Sequence, residues 1–214
     1  MGSGFVHLHC HSNYSFLEGA SSIDALLDAA AEAGMSALAV ADANALYGAV
    51  ELYKAAQERG IKPIFGAEVN DPATGRKAVL LAKNRRGYSA LCRVITARRL
   101  DEEFSLKKAL VEEGVDLFIL SAEPGLLRAL MDGRGREGLC VELPAASPGR
   151  MRALAKFARE NGLPAAVTND VHFARKEGFR IHKLLTAIRE NTTVHAVSDD
   201  MLCSPEAWLK PAAL

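Results

Sequence analysis

The 214-residue chain has no apolar run approaching the roughly 20 residues that a membrane span requires, and its opening lacks the layout of a secretory signal. A membrane-spanning or exported protein is therefore not expected. Net charge is also missing, because 26 basic and 26 acidic side chains cancel. That balance removes the electrostatic case for tight binding of nucleic acid or a membrane surface by the domain as a whole. The basic pairs Arg85-Arg86, Arg98-Arg99 and Lys107-Lys108 fit solvated helix faces. Cys10, Cys92, Cys140 and Cys203 never fall at C-x-x-C spacing, so neither a disulfide framework nor a zinc knuckle is implied. The reducing cytoplasm is the default location. A P-loop, a G-x-S-x-G elbow and internal repeats are absent too. What is present is 49% hydrophobic residues in a length suited to one globular domain with a real core.

The most informative stretch is Phe5 to Gly19, FVHLHCHSNYSFLEG. Its apolar, partly β-branched start reads as a buried strand. His7, His9 and His11 alternate along it, so all three imidazoles are expected on one face, with a carboxylate following at Glu18. A lone histidine there would be an ordinary core group. An H-x-H-x-H run ahead of a carboxylate points instead to a metal, since neutral imidazole is the commonest metal ligand.

Downstream, strands and helices alternate. A capping box at Ser21-Ser22-Ile23-Asp24 opens a helix that Gly34 stops, and Ala37 to Ala41 forms a strand ending at Asp42. A helix over Ala45 to Arg59 leads to a strand over Pro63 to Val69, with Glu68 at its end. Only NDPATGR, Asn70 to Arg76, separates this third strand from the fourth, Lys77 to Ala82. So short a connection suits an antiparallel hairpin, because a parallel crossover needs a dozen residues or more. Glu68 and Lys77 are then expected to face each other closely enough for an ion pair. Helices over Arg86 to Arg98 and from Ser105, Pro124, Ser147 and Gly178 alternate with strands over Asp116 to Leu120, Leu139 to Leu143 and Leu163 to Thr168. Seven strands in this rhythm predict an α/β barrel. Functional side chains of such barrels sit at strand ends, where His9, His11, Asp42, Glu68, Glu123, Asp170 and His172 fall.

The segments HLHCHSNYSFLEGA, LAVADANALYGAVELYKAAQERGIKPIFGAEV, VLLAKNRRGYSAL and AVTNDVHF resemble, in this order, the polymerase-and-histidinol-phosphatase (PHP) domain. The likeness is greatest to the version at the N-terminus of bacterial DNA polymerase III α subunits, including the error-prone type. The resemblance implies a distorted (β/α)7 barrel over residues 5–190, with the hairpin between strands three and four. Residues 191–214 resemble an exit toward a polymerase body, and residues 1–4 read as a tag or disordered start. The family's metal centre holds up to three ions and hydrolyses phosphoesters. By position, the first ion would take His9, His11, Glu68 and Asp170, all present. The second would share Glu68, but its other ligand positions read Lys77 and, less securely aligned, Glu123. The third would use Glu18, His172 and the residue after Asp42, which is Ala43. His7 has no ligand role in the family.

A protonated lysine offers no lone pair and repels a second cation, whereas multi-metal hydrolysis needs ions about 3.5–4 Å apart. The expected function is therefore a degenerate PHP domain of a DNA polymerase III α-like protein, catalytically silent, with at most one divalent ion (zinc or manganese) or none. The expected partners are a polymerase body in cis and a proofreading exonuclease subunit, with DNA met only through the larger assembly. A polymerase palm does not fit in this length. The alternative is a metal-dependent phosphoesterase, either a 3′→5′ exonuclease or a small-molecule phosphatase.

Overall fold

A computed structural model describes residues 4–212, so most of the presumed start at residues 1–4 lies outside the described residues. The chain divides into two compact units. The first is Met1–Asp42, Tyr47–Ile64 and Asn169–Leu214, and the second is Ala43–Leu46 and Phe65–Thr168.

In the first unit, Ser22 caps α1 (Ile23–Glu32) through a hydrogen bond from the Ala25 N–H, and Ile23, Leu26, Leu27 and Ala30 bury one stripe of the helix. Strand β1 (Ala37–Ala43) is buried along nearly its whole length, as a strand covered on both faces must be. Helix α2 (Ala49–Glu58) starts four residues later than the expected Ala45.

The expected first strand forms only in part. His7 and Cys10 carbonyls accept from Ala39 and Ala41 of β1, while the Val171 carbonyl accepts from the His11 N–H and the Val171 N–H donates to the His9 carbonyl. Three residues on the first segment thus oppose two on β1, the signature of a bulge, and only Cys10 makes a bridge, with Val171. The extra residue breaks the alternation of faces. His7 accordingly parts company with His9 and His11 and bonds the Lys210 carbonyl at 2.9 Å, which corrects the expectation of three imidazoles on one side. The tail belongs to this unit as well, since His172 and Leu209 N–H groups bond Ala207 and Phe173 carbonyls. Helix α7 (Gly178–Arg189) completes it.

The second unit is built on β2 (Lys62–Asn70) from Phe65 onward, β3 (Lys77–Ala82), β4 (Leu117–Ser121), β5 (Leu139–Pro144) and β6 (Ala165–Thr168). Strand order follows chain order. The β2–β3 pair is antiparallel, Glu68 opposite Val79 and Asn70 opposite Lys77, so the seven-residue connection makes the expected hairpin. Its turn is tied by Asp71, whose buried carboxylate accepts from Ala73, Thr74 and, across the unit, the Leu106 N–H. Burial would raise this carboxyl, but those hydrogen bonds outweigh it and hold it below the usual range. Strand β4 runs antiparallel to β3, and β4–β5–β6 are parallel. Helices α3 (Arg85–Leu100), α4 (Leu106–Glu113), α5 (Pro124–Arg134) and α6 (Pro148–Asn161) cover a core that includes Leu80, Leu91, Leu110, Ile119, Leu127 and Phe157. Among the described residues there are thus six named strands rather than seven, in an α/β fold with one antiparallel hairpin. No described helix is long and apolar enough to cross a membrane.

Candidate metal centre

In the first unit, His9 and His11 keep strand alternation, and their Nε2 atoms stand 3.1 Å apart. Asp170 follows β6 at a left-handed turn (φ 45°), a conformation that Asp tolerates better than most residues. Its Oδ1 lies 3.4, 3.3 and 3.4 Å from the Nε2 atoms of His9, His11 and His172. None of these contacts is an aligned hydrogen bond, and this buried oxygen has no hydrogen-bond partner. An orphaned buried carboxylate oxygen is costly unless a cation satisfies it. Donors around a tetrahedral ion bound at about 2.0–2.1 Å stand about 3.3–3.4 Å apart, close to the spacings here. Burial alone would lift the Asp170 carboxyl, but the imidazoles of His9, His11 and His172 outweigh it and hold it well below the ordinary range. Burial, with repulsion from His11, lowers His172 and favours a neutral ring bearing a lone pair. The residues present fit a divalent ion with nitrogen and oxygen ligands.

Asp42, expected near the site, orients it rather than joining it. Its buried carboxylate accepts from the Ser12 N–H (2.7 Å), the Ser12 hydroxyl (2.8 Å) and the Ser15 hydroxyl (2.7 Å). With the Ser15 proton given to Asp42, Ser15 Oγ accepts from His11 Nδ1 at 2.9 Å. The His11 proton is thereby fixed on Nδ1 and the Nε2 lone pair is turned toward Asp170. An outer hydrogen bond of this kind sets the tautomer and raises the basicity of a metal-binding imidazole. The loop closes this tightly because Gly19 has no side chain: a Cβ there would lie 1.9 Å from the Ser12 carbonyl oxygen. The sequence reading missed Ser12 and Ser15, although an S-x-x-S pair directly after H-x-H is visible in the string.

Glu18, expected as a weaker ligand, supplies its backbone carbonyl to His182 Nδ1 (2.9 Å), and its carboxylate joins neither donor group found in this unit. His172 does reach Asp170, through Nε2.

In the second unit, Glu68 is buried on β2 and meets the ammonium of Lys77 at 2.7 Å. The expected pair is therefore formed. Glu123, at the cap of α5, is held by Arg150 at 2.7 Å, so its carboxylate already has a cation. Ala43 ends β1 with a methyl group and no donor.

A family model described as "PHP domain" matches residues 7–140. An error-prone DNA polymerase of Symbiobacterium thermophilum is 36% identical over 97% of this chain and 23% of its own length. The DNA polymerase III subunit alpha of Bacillus subtilis is 31% identical over 98% of this chain and 21% of its own. The chain thus spans about a fifth of the length of these curated relatives. Among solved structures, an amidohydrolase from Chromobacterium violaceum superposes with a TM-score of 0.55 at 20% identity, over 78% of this chain and 87% of that one. A two-domain protein from Bacteroides vulgatus, described as containing a predicted PHP-like metal-dependent phosphoesterase, gives 0.53 at 16% identity, over 78% and 51%. At such identities these two speak to fold alone.

Proposed function

The chain belongs to the PHP domain family, and from that premise we propose that it is the PHP module of a DNA polymerase III α-like protein, silent toward phosphoesters. His9, His11 and Asp170 would hold one divalent ion, zinc or manganese, with Glu68 as the further ligand that the family resemblance implies. When bound, the ion supplies positive charge and Lewis acidity at the Asp170 oxygen. The chain's own residues supply the rest: Asp42 and Ser15 set the His11 tautomer, and the turn at Asp170 aims its carboxylate at three imidazoles.

The observation that carries the reading is the Lys77–Glu68 pair. Hydrolysis by paired ions uses two cations to clamp the attacking and leaving oxygens. An ammonium gives Glu68 its counter-charge but has no empty coordination position, and Ala43 offers no ligand for a further ion. Such a module would brace the larger polymerase in cis, in the cytoplasm, and carry a surface for a proofreading exonuclease subunit. The relatives' much greater length supports the first of these partners.

The intact His9–His11–Asp170 set favours one second reading, a single-ion phosphoesterase. Incubating the chain with Zn²⁺ or Mn²⁺ and either a generic phosphoester or a DNA 3′ end distinguishes the two. No turnover above a His9→Ala control is expected. Metal-dependent turnover that His9→Ala abolishes would establish the phosphoesterase instead.

A further inference from the structure

His172 uses only one of its nitrogens in the group above. Its Nδ1 is buried and has no hydrogen-bond partner. The Asp170 carboxylate, 3.4 Å from Nε2, draws the ring proton to that side and leaves a lone pair on Nδ1. His182, buried on α7, is set the same way: it gives its Nδ1 proton to the Glu18 carbonyl, so Nε2 carries the lone pair. That lone pair accepts only a long bond from the Cys203 N–H, at 3.2 Å, and a marginal contact from Thr186 at 3.5 Å. One donor atom from each of His172, His182 and Cys203 lies within 4.8 Å of the other two.

We propose that His172, His182 and Cys203 form a second metal site, of softer character, that takes a zinc-class ion through two imidazoles and a thiolate. With His172 Nδ1 and His182 Nε2 as the donors, the other ring nitrogen of each sits beside an oxygen, a carboxylate for His172 and a carbonyl for His182. Metal-binding histidines are ordinarily held by such a partner. Two nitrogens and one sulfur select zinc, cobalt or cuprous copper over manganese or magnesium, and leave a fourth tetrahedral position for water. Without a cation, burial and the Asp170 charge push the Cys203 thiol up to about 12, so it is a poor nucleophile. A cation beside the sulfur reverses that effect, and its capture releases one proton. The Cys203 N–H bond to His182 is exchanged for the metal bond, and its length makes that a small loss. This site draws on none of the lone pairs assigned to the first ion, so it stands or falls independently.

Co²⁺ titrated into the reduced, metal-stripped chain provides the probe, because only a sulfur ligand gives thiolate-to-cobalt charge-transfer absorption. The expected band saturates at one ion per chain, disappears in Cys203→Ser and needs at least about tenfold more Co²⁺ in His182→Ala. It persists in Cys92→Ser, in Cys140→Ser and in His9→Ala, which removes the first group. Circular dichroism of Cys203→Ser matching the parent shows that the lost band is not lost folding. Absence of the band from the parent, or its survival in Cys203→Ser, overturns the site. Its loss in a folded His9→Ala overturns the claim that the two sites are separate.

Discussion

Each unit buries a carboxylate oxygen, one of the partly exposed Asp170 and one of the buried Glu68, and the two needs for positive charge are met in opposite ways. In the first, the Asp170 oxygen has no hydrogen-bond partner and faces the Nε2 atoms of three imidazoles at 3.3 to 3.4 Å. In the second, Glu68 has a covalently supplied cation, the Lys77 ammonium, at 2.7 Å. One region still has the shape of an ion's surroundings, and the other has internalised the charge. A divalent ion brings charge together with empty orbitals, whereas an ammonium brings charge alone. The second solution therefore keeps the electrostatics and drops the chemistry.

The largest effect should come from the scaffold rather than from either charge device. Leu38 is fully buried, so Leu38→Ala should cost about 2–5 kcal/mol in denaturant titration. His9→Ala should shift Tm little by comparison if the first group is a binding site rather than a structural staple. A large loss in His9→Ala, reproduced by adding chelator to the parent, would show the ion to be structural and bring the two regions closer together.

Next comes the turn that delivers Lys77 to Glu68. Asp71→Ala strands the Leu106 N–H and unties the Thr74 turn, at a cost of about 2–3 kcal/mol. Because the Asp71 carboxyl is depressed in the folded chain, its contribution is present above the unfolded value of about 4 and is lost as pH falls through the lower folded value. Acid titration of stability should therefore be shallower below about pH 4 in Asp71→Asn than in the parent. Equal slopes would remove Asp71 from the account.

Lys77→Ala leaves Glu68 buried without its ammonium and should cost about 1–2 kcal/mol, moderated because Lys77 is half-exposed. Adding Glu68→Gln should recover part of the loss in a double-mutant cycle, and additive losses would mean that the pair is not coupled. The smallest effect belongs to Ser15→Ala. It should leave stability nearly unchanged while weakening Zn²⁺ binding about tenfold in calorimetry, because His11 loses the acceptor for its Nδ1 proton.

The parts legible in the sequence were those with a period or a length. Apolar runs and caps marked the helices and the six strands, and a seven-residue link disclosed the hairpin and so the Lys77–Glu68 pair. The first strand was misread because a bulge adds one residue without leaving any trace in composition, and His7 turned away with it. Asp42 was legible as a polar strand end, but its role depends on two serines that any loop could contain. His182 and Cys203 were invisible as a pair because their meeting depends on the path of the tail, which no spacing rule encodes. Glu123 could be read as a replaced ligand, but not as a partner of Arg150 from another helix.

The central claim is that Lys77 stands where a second cation would otherwise be bound, and Mn²⁺ tests it most directly because a thiolate site discriminates against that ion. Mn²⁺ titration followed by electron paramagnetic resonance should find at most one ion per chain in the parent, with the spectrum of an isolated ion. The triple variant Ala43→His, Lys77→His and Glu123→His, which adds only nitrogen ligands, should bind at least one more. Two or more Mn²⁺ in the parent, with metal-dependent phosphoester turnover, would contradict the account.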